Sequence, residues 1–297
     1  MGVFSSANKK VSFRAKDTLV CPVCKEEQHR EELMSGGGRL IAGKLTPELR
    51  RLYEENKKFG KIYPLAYILD VCPKCLYSSF PKDFAQLSEK EIITLKNSAP
   101  LREKLMKTVF TEVDFKKDRD LVLGTASYIL AIDCYHFREN SIAPTPKKAV
   151  ASIRAAWMLH DLYKEASYRP YDKARDFYYM EAVHNYQKCL DLMQTGKEPV
   201  ESATYMLGPD QDHNWGYDGI IYLNAYLTKK YYSQLADSKA EQMKMLEASK
   251  RYLSKLYGTG KKSRNKPSVI VDMSKDLYDE LGKIIEEMKQ AETSVSV

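Results

Sequence analysis

Histidine is scarce in this chain, at 5 of 297 residues, and so are cysteine, at 6, and tryptophan, at 2. His136, His160 and His184 fall in helical patterns with no second metal-ligand residue four positions on, so no helix presents a two-histidine metal site and they read as core or groove residues. No apolar run approaches the ~20 residues that cross a bilayer, which excludes a helical membrane span. Residues 1–20 contain no apolar stretch of signal-peptide length, and the expected compartment is the cytoplasm. The start Met1-Gly2 with Ser6 fits a myristoylation pattern, a short and common match. No GxSxG elbow occurs, so the serine-hydrolase pattern is missing. Gly258-Thr-Gly260-Lys-Lys-Ser263 is not a phosphate loop, because the upstream glycine is absent at the required spacing and Lys262 interrupts the Lys-Ser pair.

What remains is the composition of a folded protein, 43% hydrophobic and 29% charged, with 21 tyrosines. The formal charge of +7 is modest for this length and spread along the chain, whereas nucleic-acid binders concentrate basic residues on one face. The basic stretches Lys9, Lys10, Arg14, Lys16 and Lys261, Lys262, Arg264, Lys266 read as solvated arm and loop.

Four segments are expected: a flexible basic arm over 1–17, a cysteine-bearing module over 18–87, a helical domain over 88–258, and a basic loop with a terminal helix over 259–297. Within the module, residues 45–60 (LTPELRRLYEENKKFG) predict a helix, with Thr46 as N-cap, Pro47 at the first helical position and Gly60 as terminator. Ser88 with Glu91 three residues on predicts a capping box. Helical periodicity follows over 119–138, 147–167, 171–194, 216–236, 239–258 and 274–290, and the fifth pairs antiparallel with the fourth. Ala126, Ala131, Ala155, Ala156 and Ala225 interrupt the bulky faces as tetratricopeptide helices require for close approach, most clearly over Tyr217 to Tyr257. The expected fold is mostly α, a tetratricopeptide-like repeat or bundle behind a small zinc-ribbon-like module, with an ordinary helical bundle as the alternative.

The strongest chemical signal is Cys21-Pro-Val-Cys24 with Cys72-Pro-Lys-Cys75, two CxxC pairs separated by 47 residues. Two short turns gripping one ion from opposite sides complete a tetrahedron of thiolates, which suits one structural zinc and leaves no open position for catalysis. Four cysteines also suit an iron–sulfur cluster, and a CxxC pair also serves thiol exchange, although that chemistry needs only one pair. His29 follows the first pair and is read as a surface residue, and Cys134 and Cys189 as buried small hydrophobes.

Tyr67-Ile-Leu-Asp-Val71-Cys72-Pro73-Lys-Cys75-Leu-Tyr77, preceded by Cys21-Pro22-Val23-Cys24, resembles an uncharacterised bacterial family, domain of unknown function 2225. The resemblance runs from Cys21 to about Tyr257 and implies a paired CPxC module followed by tetratricopeptide-like helices, with the four cysteines as metal ligands. It departs at Leu76, where a glycine at positive φ is expected. The family carries no assigned activity.

The function expected is a non-enzymatic scaffold that binds protein partners in a helical groove, with Trp157, Tyr178, Tyr179, Tyr222 and Tyr226 as candidate anchors. A second reading is nucleic-acid binding through the zinc ribbon, for which Lys25, Arg30, Arg39 and Lys74 lie near the cysteines, opposed by Glu26, Glu27, Glu31 and Glu32. A third is an enzyme built on the CxxC thiols or the 208–218 loop, where Asp212 and His213 lie among turn residues. No small-molecule substrate is implied.

Overall fold

The computed structural model describes residues 10–34, 36–211, 213–260 and 268–295. Lys9, Asp212 and the 261–267 part of the basic loop lie outside the described residues. Among the described residues six short strands come first: β1 (Ser12–Val20), β2 (Glu27–Leu33), β3 (Ile41–Leu45), β4 (Arg51–Glu54), β5 (Asp70–Val71) and β6 (Ser78–Ser79). They form three separate antiparallel hairpins, β1 with β2, β3 with β4 and β5 with β6. Nine α-helices follow among the described residues: α1 (Pro81–Phe84), α2 (Glu89–Asn97), α3 (Ala99–Val109), α4 (Leu121–His136), α5 (Pro144–Glu165), α6 (Tyr171–Thr195), α7 (Gly216–Leu235), α8 (Lys239–Gly260) and α9 (Ser268–Val295). The protein is thus mostly helical with a small N-terminal β region.

Two expectations are corrected. Residues 12–17 were read with the flexible arm, yet they form most of β1, and Arg14 pairs with Glu31 at 3.3 Å. The helix expected over 45–60 is absent. Strand β3 ends at Leu45, β4 runs through the middle of the segment, and Thr46–Arg50 between them forms a tight turn with Leu49 at φ 58. The local helix signals at Thr46 and Pro47 are overridden because Leu49 is fully buried among the helices, an anchor that a continuous helix would not supply.

The helical body is built by packing each long helix on the next, from α4 through α9. α4 is its apolar centre, with twelve of sixteen residues buried. Ala126, Ala131, Ala155, Ala156 and Ala225 are all fully buried, as close helix approach demands. Gly124 shows how tight that approach is: a Cβ there would lie 2.6 Å from the Ala66 Cβ and 2.6 Å from the Met158 Cε. Pro144 and Pro146 lie in the first turn of α5, where their missing N–H groups cost nothing. α2 opens with the expected capping box, in which the Ser88 Oγ accepts from the Glu91 N–H and the Glu91 carboxylate accepts from the Ser88 N–H at 2.7 Å. Among the described residues no helix is long and apolar enough to cross a membrane.

Candidate metal centre

Each CPxC motif sits at the tip of a hairpin, and the two tips are built alike. In the first, Val20 pairs with Glu27, the Cys21 N–H donates to the Glu26 carbonyl at 2.8 Å, and the Lys25 N–H donates to the Cys21 carbonyl at 2.9 Å. In the second, Val71 pairs with Ser78, the Cys72 N–H donates to the Tyr77 carbonyl at 2.8 Å, and the Leu76 N–H donates to the Cys72 carbonyl at 3.0 Å. The register is identical when counted from the first cysteine of each motif. The residue after the second cysteine takes a left-handed backbone in both, with φ 62 at Lys25 and φ 57 at Leu76. The turn therefore keeps the positive φ that glycine favours, and Leu76 adopts it while burying its side chain.

The two tips face each other, and the four Sγ atoms lie within 4.8 Å of one another. Cys21 and Cys75 approach to 3.7 Å, and Cys24 and Cys72 to 3.4 Å. Cys21 and Cys72 are fully buried. Among the described residues, which include all six cysteines, no disulfide is present. Four thiols this close cannot all ionise without a cation. Hydrogen bonds from the Cys21 and Cys75 thiols favour the Cys72 thiolate and hold it well below the ordinary thiol range, while the same contacts push Cys21 and Cys75 upward. A divalent cation removes that conflict, and this donor set can hold one metal ion.

Helices α3 and α4 brace the second tip. Fully buried Arg102, on α3, donates to the Cys75 carbonyl from Nε at 3.1 Å and from Nη2 at 2.9 Å, and to the Leu95 carbonyl at 2.7 Å. The Ser78 N–H points to the Cys134 sulfur on α4 at 3.4 Å, so Cys134 packs against the four-cysteine cluster without belonging to it. Cys189 is buried elsewhere in the helical core. His29 is exposed on β2. Arg102 has no signature in the sequence, because α3 carries other basic residues that are solvated.

The remaining candidates are dispersed. His160 lines a cleft beside α5, but His136 and His184 are exposed rather than in core or groove. In the 208–218 loop, the Gly208, Pro209 and Asp210 carbonyls accept from the buried Arg154 guanidinium, and the Asp210 carboxylate accepts from the Gln211 and Arg51 N–H groups. His213 sits edge-on to Trp215, 4.3 Å between centroids. Trp157, Tyr178, Tyr179 and Tyr222 are buried, and Tyr226 stacks half-buried against Tyr222 at 6.1 Å. Near the cysteines, Arg30 is paired with buried Asp70 and Lys74 with Glu26 at 3.3 Å.

Fold and site together define a mostly helical protein whose N-terminal hairpins carry a four-cysteine cluster able to hold a metal. The chain belongs to the family described as uncharacterized proteins conserved in bacteria (DUF2225), whose profile matches residues 15–281. It is 37% identical over 281 residues to an uncharacterized protein of Borreliella burgdorferi, covering 95% of this chain and 100% of that relative. No solved structure matches the chain significantly.

Proposed function

We propose that Cys21, Cys24, Cys72 and Cys75 hold one structural zinc ion, and that the protein is a non-enzymatic interaction scaffold whose zinc module caps a tetratricopeptide-like helical body. The observation that carries the metal reading is the pair of matched tips. Four thiolates at about 2.3 Å from a tetrahedral zinc have S–S edges of about 3.8 Å, close to the 3.4 and 3.7 Å separations here. All four positions belong to the protein, which suits structure rather than turnover.

Three features support the scaffold reading over its rivals. Consecutive packed helix pairs leave a cleft of about 430 Å³ lined by α5, α6 and α7. Arg30 and Lys74, two of the four basic residues near the cysteines, are paired with Asp70 and Glu26, which leaves less free charge for phosphates. Among the described residues of the 208–218 loop, the Gly208, Pro209 and Asp210 carbonyls hold Arg154, and the Asp210 and Asn214 side chains accept from the Gln211 and Gly208 N–H groups. The test is cross-linking in cells followed by reconstitution from purified components. A reconstituted protein complex that dissociates on chelation supports the reading; salt-sensitive binding of single-stranded RNA, with no protein partner, contradicts it.

A further inference from the structure

The β3–β4 hairpin is a finger whose two strands, among the described residues, pair only with each other. Ile41 and Leu52 on it face solvent, at 40% exposure each. Its tip, by contrast, is seated in the cleft between α5, α6 and α7. Leu49 is fully buried there. The Glu48 carboxylate accepts from the Trp157 indole N–H, from the Tyr179 hydroxyl at 2.8 Å and from the Lys230 ammonium at 2.8 Å. The Pro47 carbonyl accepts from the Tyr222 hydroxyl at 2.8 Å. These groups come from three different helices and converge on three consecutive residues of a remote segment, Pro47 to Leu49, as a peptide-binding groove converges on its ligand.

The tip does not fill its surroundings. Clefts of about 430 Å³ and 200 Å³ flank it, and Lys164 lines both. Lys164 is exposed and has no ion pair among the described residues. The groove therefore offers Lys230 to the acid already present and Lys164 to a further one.

We infer that this groove is a peptide-binding site held by the chain's own tip, and that its partner is a protein segment presenting a glutamate followed by a large aliphatic residue, which enters by displacing the finger. The inference rests on the scaffold reading and names the partner's chemistry. Tethering gives the tip a high effective concentration, so a free segment competes only when it adds contacts, such as an acid for Lys164, or when the tip is weakened.

The test uses the full-length, metal-loaded protein and a synthetic peptide of residues 44–53 as probe. In the Glu48→Ala/Leu49→Ala variant the groove loses its occupant, and calorimetry is expected to show peptide binding at least tenfold tighter than to the unaltered protein. Adding Lys230→Glu is expected to abolish it. Should the double variant fail to fold, Glu48→Gln alone, which removes the charge that Lys230 holds and so weakens the tip, takes its place, with peptide binding again expected to be tighter than to the unaltered protein. No binding to a variant that keeps its helical circular dichroism and its metal overturns the inference, as does binding that is equal in the unaltered protein or insensitive to Lys230→Glu. A protein complex of the scaffold that persists with Lys230→Glu also overturns the groove assignment while leaving the scaffold reading standing.

Discussion

The guanidinium of Arg102 forks onto the carbonyl oxygen of Cys75, with Nε at 3.1 Å and Nη2 at 2.9 Å, and ties helix α3 to the second cysteine tip. The same group donates to Ser98 Oγ and the Leu95 carbonyl, and lies 4.0 Å from Asp133. Arg102→Met leaves the Cys75 carbonyl without its two guanidinium donors, at about 1–3 kcal/mol, and the Leu95 carbonyl with the Ser98 hydroxyl at 3.3 Å in place of a charged donor. Denaturant unfolding is expected to show a loss of about 2–4 kcal/mol, and competition with a chelator a metal affinity about 10–100-fold weaker. Arg102→Lys is expected to rescue little, since a single ammonium cannot form the planar fork. Unchanged metal affinity in a folded Arg102→Met protein would show that α3 does not brace the site.

The two left-handed positions separate backbone strain from burial. Lys25 is exposed and its φ is 62, so Lys25→Gly is expected to raise stability by about 1 kcal/mol. Leu76 has φ 57 and is buried, so Leu76→Gly gains the same backbone relief but loses about 2 kcal/mol of apolar burial. Thermal unfolding should therefore move up for the first and down for the second. Movement in the same direction for both would contradict the matched-turn description.

Gly124 sets helix propensity against packing. A mid-helix Gly→Ala change ordinarily gains about 1 kcal/mol. Here the new methyl would meet the Ala66 Cα at 2.7 Å as well as its Cβ, and backbone cannot swing aside as a side chain does. Gly124→Ala is expected to destabilise by about 1–3 kcal/mol. A rise in the unfolding midpoint would show that α4 and the Pro64–Tyr67 turn are not in contact.

Glu91 joins the capping box to Arg138 at 2.8 Å. Burial alone would raise its carboxyl, but the Ser88 and Glu139 N–H groups and Arg138 outweigh burial and hold it below the ordinary carboxylate range. A depressed carboxyl stabilises the fold above its unfolded pKa, and that stability is lost as pH falls through the folded value. Stability should therefore decline below about pH 4.5, and Glu91→Gln should cost about 2 kcal/mol at pH 7 while flattening that acid limb. An acid limb of unchanged slope in the variant would place the lost protonation elsewhere.

The parts of this structure visible in the sequence are those set by local or short-range chemistry. Ser88 and Glu91 announce α2, apolar periodicity announces α4 to α9, and the CPxC spacing announces two tips that bring four cysteines together. Leu76 was flagged only as a missing glycine, and the backbone there keeps the glycine-like φ regardless. The finger is hidden because Thr46 and Pro47 carry good helix-start chemistry, while the contacts that bend it come from Trp157, Tyr179, Tyr222 and Lys230, more than 100 residues away. β1 escaped notice because its polar residues, such as Arg14 and Lys16, conceal its pairing with β2. Arg102 and Arg138 are buried by partners that no local pattern foretells.

The central claim is the metal, and the direct measurement is elemental analysis of protein purified without added metal, beside a Cys72→Ser variant. The account predicts about one zinc per chain, with zinc lost and the β1–β2 and β5–β6 tips unfolded in the variant, as hydrogen exchange would report. Well-folded protein with no bound metal, or with iron and sulfide in place of zinc, would contradict it.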